Sequence, residues 1–323
     1  MPPCYNPPVE NPAGLFFPDL PRAVLSVRGK DRTSFLHNLL SNDIKGLQPG
    51  QGKPACLLDR QGKILFSCTA HARSEEILLE MIPAFLPVAQ SSLERYRISE
   101  SAELSDATGR FRILSLHGPA VPGLSLPPLS GADGFTVQSK LLGMPGLDLW
   151  CGKEEAETLL RKMGDLCRTA GMTEGSEQDF HILRIEAGVP WPGREITSEV
   201  ILNELNREEF VSFTKGCYVG QEIVARIKYR AHPPRLLTGF LIEGPDAPAG
   251  PSAVRLESQE VGVITSACFS PTLQKTIALG FLKYGVEGTD FRVQNFSARA
   301  AKLPFIQPST SSGRTAGLAK DSG

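Results

Sequence analysis

Apolar positions along the chain recur with two different spacings, and the changes between them mark out the elements. Residues 23–29, "AVLSVRG", form a run of strand formers. Asp31 then stands where it can cap a helix that puts Phe35, Leu36, Leu39 and Leu40 on one face. Residues 56–58 and 64–69 flank the turn sequence "DRQG" and predict a hairpin. Residues 77–82 predict a further strand. A helix is expected over 86–96, beginning near Pro87, because proline in a first turn forfeits no helical hydrogen bond. Residues 113–116 start another extended segment. The Pro/Gly-rich "HGPAVPGLSLPPLSGADG" after it reads as a domain joint or a surface loop.

A strongly periodic helix follows, with Ala156, Leu159, Leu160, Met163, Leu166, Cys167 and Ala170 on one stripe and Gly171 as its stop. Ser176 can cap the next helix, in which Ile182, Leu183 and Ile185 lead into Glu186 and Gly188. From Arg235 onward the pattern changes to five short apolar runs separated by turn residues: "LLTGFLI", "SAVRL", "VGVITSACF", "TIALGFL" and "DFRVQNF". Five such runs without a helix predict a small β-barrel, closed or half-closed. The Pro-rich start and the small, polar end bury too little apolar surface to offset the entropy of ordering, so both are expected to be flexible tails.

Composition narrows the function. The 323 residues are 41% hydrophobic and 21% charged with a net charge of −1, which suits a soluble protein of two or three units. A nucleic-acid footprint normally appears as excess Lys and Arg, so no stable nucleic-acid binding is expected. The seven cysteines are scattered, with no C-x-x-C pair and no Cys/His spacing for zinc, which points to free thiols, a reducing compartment and no metal site. No apolar run approaches the ~20 residues that span a bilayer, and "MPPCYNPPVENPAG" resembles neither a secretory nor a transit sequence. A cytoplasmic protein without a membrane partner is the expectation.

Three stretches carry candidate chemistry. "TKGCYVGQEIVAR" sets Cys217 between Gly216 and Gly220 with Lys215 and Arg226 nearby. Cations favour the reactive thiolate, and the glycines allow sharp turns and close approach. The competing reading is a buried structural cysteine beside a tight turn. A nucleophile also needs a base, and His37, His71, His117, His181 and His232 all lie outside any cysteine-hydrolase context. In "LRIEAGVPWPGRE", Glu186 could accept hydrogen bonds from the N–H and NH₂ edge of a heterocycle, with Trp191 as a wall. Alternatively it forms a surface ion pair with Arg184 or Arg194. "SND", residues 41–43, has the usual composition of a helix-ending turn.

Taken together, these segments resemble a known family. "KGCYVGQE" is similar to the motif of the YgfZ family of folate-binding proteins and their mitochondrial iron–sulfur assembly relatives. It comprises Lys215, Gly216, Cys217, Tyr218, Gly220, Gln221 and Glu222, with Arg226 beyond. "GKDRTSFLHNLLSND", "LLDRQGKI", "RIEAGVP" and "GVITSACFSPTLQKTIALG" resemble, in the same order, the wider aminomethyltransferase (glycine-cleavage T-protein) superfamily. The resemblance implies an α+β fold of three domains in a ring around a central folate channel. The implied parts are a flexible tail (1–19), a first domain (20–115), a second carrying the motif (116–232) and interleaved with the first, a C-terminal β-barrel (233–305) and a second tail (306–323).

It further implies that Glu186 recognises the pterin of tetrahydrofolate or a folate derivative, that Lys215 lies near the substrate, and that Lys215 and Cys217 form a functional thiol motif. The T-protein carries adjacent aspartates on the strand after its glycine hairpin, and here those positions fall on Leu65 and Phe66. Neither can act as a general base. Relatives also usually carry a proline before the glutamate of "ILNEL", which leaves the role of Glu204 open. The function expected from the resemblance is tetrahydrofolate binding in support of iron–sulfur cluster assembly or repair in client enzymes, including tRNA-modifying ones, and not enzymatic turnover of the usual kind. The alternative is a folate-dependent aminomethyl or one-carbon transferase.

Overall fold

The computed structural model describes residues 13–139, 142–244, 248 and 250–307. The expected tails at 1–12 and 308–323 lie outside the described residues. The tail boundaries themselves need correcting. Residues within 1–19 already form a strand, β1 (Leu15–Phe17), and Ile306 is buried. Phe16 and Phe17 go into the interior, and their apolar burial holds this segment in place.

The next stretch forms the first sheet with its helices: β2 (Ala23–Arg28), α1 (Arg32–Leu39), β3 (Gly52–Leu58), β4 (Ile64–Ala72), β5 (Glu76–Met81), α2 (Leu86–Tyr96) and β6 (Glu103–Asp106), in the order β3-β4-β5-β2-β6. Asp31 precedes α1 as expected but makes no side-chain cap. Its carboxylate accepts instead from Ser101 N (2.8 Å), while its carbonyl takes the first helical bond from Phe35 N. The hairpin between β3 and β4 is tied by Asp59, whose Oδ1 accepts from Gln61 N and Lys63 N.

The second sheet takes β7 (Phe111–His117), β8 (Phe135–Ser139), β9 (Gly146–Gly152) and, after α3 (Ala156–Thr169), β10 (Thr173–Glu174), in the order β10-β1-β7-β9-β8. The expected domain boundary at 115/116 therefore falls inside β7, and the change of sheet comes earlier, between β6 and β7. The Pro/Gly-rich segment connects β7 to β8 within one sheet, so it is a surface loop.

Strand alternation explains how the layers stack. Leu25, Val27, Ile77 and Leu79 point into the core shared with α1 and α2. Their neighbours Val24 and Leu78 meet Phe111, Ile113, Val137 and Trp150 of the second sheet. On its far face that sheet packs Leu114, Leu116, Leu149 and Cys151 against Leu159, Met163 and Cys167 of α3. The result is helices, sheet, sheet, helix. An ion-pair cluster lies inside this sandwich: Arg22 binds Glu80 and donates to Ser115 Oγ (2.6 Å), and His71 Nε2 lies 2.9 Å from Glu80. Burial opposes the Glu80 charge, but Arg22 and His71 outweigh it and hold the carboxyl down at about 2.

After β10 come α4 (Glu177–Glu186), an irregular crossover, and α5 (Gln221–Arg230). The expected Ser176 cap is a full capping box with Asp179. The C-terminal unit is a closed barrel of β11 (Arg235–Ile242), β12 (Ser252–Leu256), β13 (Gln259–Ser270), β14 (Lys275–Lys283), β15 (Phe291–Val293) and β16 (Phe296–Ala301). The barrel thus has six strands, not five. The last apolar run turns back at Gln294, where φ is +54°, and splits into a hairpin. No helix among the described residues is long and apolar enough to cross a membrane.

Candidate functional site

Glu186 is the last residue of α4 and is 1% exposed. The helix ends there because Gly188 adopts φ +68°, where a Cβ would lie 2.9 Å from Leu303. That close contact comes from residues 303–306, which follow the barrel and lie across the helix end. Phe305 N and Ile306 N both donate to the Glu186 carbonyl, at 3.0 and 3.3 Å. The side chain reaches the barrel, where Ser270 at the end of β13 donates its hydroxyl to Oε1 at 2.6 Å. Ser270 is oriented in turn by Leu273 N, which donates to Oγ at 3.0 Å. Cys268, two residues back on β13, has its thiol pushed up to about 12, chiefly by burial and then by the Glu186 charge, so it stays protonated beside the carboxylate.

The alternative reading, an ion pair of Glu186 with Arg184, does not describe Arg184. Its guanidinium binds Glu195 at 2.8 Å, with the two side chains 1% and 0% exposed. Glu195 also accepts from Trp191 N, Thr265 Oγ1 and Ser266 Oγ. The two hydroxyls converge on Oε1 because β13 carries a bulge between Ile264 and Ser266, and a bulge can aim successive side chains the same way. Arg184 Nη2 donates back to Ser266 Oγ at 2.6 Å, completing the network. Burial lowers the Arg184 pKa, against the pull of Glu195. Trp191, expected as a wall, packs edge-on against Phe180 and His181. Glu195 and Ser270 were not candidates from sequence. Their roles depend on barrel register, which no local pattern encodes.

The second group is the motif loop. Lys215 extends its ammonium to the carbonyl end of α1, donating to His37 O, Leu40 O and Asn42 O, and lies 4.8 Å above the Tyr218 ring. Burial pushes Lys215 down to about 8, opposed by Asp43 and reinforced by Lys45. The "SND" turn does more than end the helix. Ser41 Oγ donates to Phe210 O and accepts from Cys56 N, Asn42 Nδ2 donates to Glu209 O and Pro54 O, and Ser212 N donates to Ser41 O.

Tyr218 is buried, and its hydroxyl is pushed up to about 12 by burial and then by Cys56. Gly220 adopts φ +81° against the hairpin, and a Cβ there would lie 2.5 Å from Asp59 O, so the position demands glycine. A Cβ on Gly216 would meet nothing within 4 Å. Gln221 starts α5 and accepts from Tyr218 N at 3.3 Å. Glu222 in its first turn complements the helix dipole. Glu222, Arg226 and Cys217 are exposed. Among the other described cysteines, Cys268 is partly exposed and the rest are buried. Phe66 is fully buried in the first core, with Leu65 packed partly buried against it. Glu204 is buried against Arg235 at 2.9 Å, and burial raises its pKa. Among the described residues no group of three or more His, Cys, Asp or Glu converges as a metal set.

Residues 235–307 match the glycine cleavage T-protein C-terminal barrel domain. The chain also superimposes on the glycine cleavage system aminomethyltransferase T of Bartonella henselae with a TM-score of 0.80, covering 92% of this chain and 88% of that one at 18% identity. The two chains share one fold. Relatives in sequence include aminomethyltransferases of Geobacillus thermodenitrificans, 28% identical over 87% of this chain and 84% of the relative, and Streptomyces coelicolor, 25% identical over 93% and 88%. That of Caldanaerobacter subterraneus subsp. tengcongensis is 24% identical over 88% and 81%. Within the aminomethyltransferase fold, Glu186 joins the second unit to the barrel, while the motif loop joins α5 to the first sheet.

Proposed function

We propose that the protein binds a reduced folate, with Glu186 as the residue that recognises the pterin. The observation that carries this reading is a buried carboxylate held in one orientation by Ser270, with a protonated thiol beside it on β13. A carboxylate offers several acceptor positions, and the amino and N–H edge of a pterin supplies two parallel donors. The donor set therefore fits the group. Burial strengthens each such bond by excluding water. Glu186→Gln keeps the volume and replaces one acceptor by a donor that opposes the pterin edge. Tetrahydrofolate affinity is expected to fall at least tenfold while the far-UV circular dichroism stays unchanged. Equal affinity would remove Glu186 from the site.

For what the bound folate does, folate-dependent aminomethyl or one-carbon transfer is the reading favoured by the relatives, which are named aminomethyltransferases. Leu65 and Phe66 set a condition on it. Both lie in an apolar core, so a base for the transfer must come from elsewhere. Turnover of an aminomethyl-loaded carrier protein with tetrahydrofolate is its test, and folate binding without turnover counts against it. A second reading, support of iron–sulfur client enzymes, is favoured by the exposure of Cys217 within the motif. It expects Cys217→Ala to abolish complementation of cluster-dependent tRNA thiolation while folate binding persists, and full complementation contradicts it.

A further inference from the structure

Lys215 and the "SND" turn were separate features of the sequence, yet they meet in the fold. Helix α1 ends at Leu39, and the carbonyls near its end lack helical partners, as at any helix C-terminus. The Lys215 ammonium takes three of the carbonyls in this region, those of His37, Leu40 and Asn42. An ammonium carries three N–H donors, so this set accounts for all of them. A cation also suits the negative end of the helix dipole. The Tyr218 ring closes the other side at 4.8 Å.

Around this cage the two segments are stitched by Ser41 to Phe210, Asn42 to Glu209, and Ser212 to Ser41. Between the anchored Lys215 and the buried Tyr218 only Gly216 and Cys217 remain, and both are exposed. The thiol thus sits on a two-residue arch whose ends are fixed by the half-buried Lys215 and the buried Tyr218.

We propose that Lys215 is a positioning residue: its ammonium is a tethered cation that closes the carbonyl end of α1 and fixes the arch that presents Cys217. This assignment stands on geometry and goes beyond folate binding. The competing role is electrostatic activation of the thiol. The ammonium is already directed to three carbonyls, and water around an exposed thiol screens a nearby charge. Pulling the ammonium toward the sulfur would also strand buried carbonyls.

The test compares the full-length protein with K215M, which keeps the chain length and removes the charge, and K215R, which keeps the charge in a planar fork that cannot fill a three-carbonyl cage. Two readouts are taken: amide hydrogen exchange over 37–42 and 209–218, and the pH midpoint of iodoacetamide alkylation at Cys217, followed by peptide mass spectrometry. The expected result is faster exchange in both segments, about tenfold or more, in both variants, with the alkylation midpoint moved by less than about half a unit. The opposite pattern overturns the proposal: wild-type exchange in both variants, a midpoint raised by a unit or more in K215M, and a normal midpoint in K215R. Should K215M fail to fold, K215R decides alone. Loosened segments support the latch, and wild-type exchange contradicts it.

Discussion

The junction around Glu186 and the arch around Cys217 both form where a helix end meets another unit, yet they treat polar groups in opposite ways. At the junction, charges are buried and matched, Arg184 with Glu195 and Glu186 with Ser270, and the C-terminal residues 303–306 lie over the helix end. At the arch, one charge is half-buried while its neighbours are exposed: Lys215 turns in, and Gly216 and Cys217 stay out. The first arrangement suits a site that reads the shape and hydrogen bonds of a small ligand. The second suits a group presented outward. Removing a member of the first leaves an uncompensated buried group, whereas changes at the apex of the second touch nothing.

That contrast can be broken most forcefully at the buried pair. Glu195→Ala strands Arg184 in the interior, and the expected loss of stability is about 3–5 kcal/mol by denaturant titration. A loss under about 1 kcal/mol would mean that the junction is wetter than the geometry shows. Glycine substitutions in the motif separate its two ends. Gly220→Ala must place a Cβ 2.5 Å from Asp59 O at φ +81°, with an expected cost of about 1–3 kcal/mol. Gly216→Ala meets open space and is expected within about 0.5 kcal/mol of wild type. Similar losses at both would erase the distinction between anchor and apex. Ser270→Ala removes one bond to a buried carboxylate, at an expected cost of about 1–3 kcal/mol.

A separate effect is a pH dependence. Lys215 has a folded pKa of about 8, below its unfolded value of 10.5. Between those values the unfolded chain binds more protons, so stability rises with pH through that window. Asp43, Lys45, His37 and Tyr218 are the titratable groups that share this setting. Wild type should therefore gain stability relative to K215M as the pH rises from about 8 to 10.5. Thermal melts of the two proteins across that range check the sign.

How much of this was legible depended on whether the partners were local. The α3 stripe ends at Gly171 as its spacing predicts, and Ser176 caps α4 through a residue three positions on. β1 was missed because three residues carry no period, and its place in the second sheet depends on pairing with β7. Helix α5 was missed because Val224 is its sole fully buried residue, too little for an amphipathic stripe. Glu186 was visible as a candidate, but its partner Ser270 lies far along the chain and is placed by barrel register. The role of Lys215 was obscured for another reason. Its partners are backbone carbonyls, which every residue possesses, so nothing in side-chain identity points to them.

Titration of tetrahydrofolate into wild type and Glu186→Gln under anaerobic conditions decides whether Glu186 reads a reduced folate. Saturable binding by wild type, weakened at least tenfold in the variant with the fold intact, is the predicted result. No binding by wild type, or equal affinity in both proteins, would contradict it.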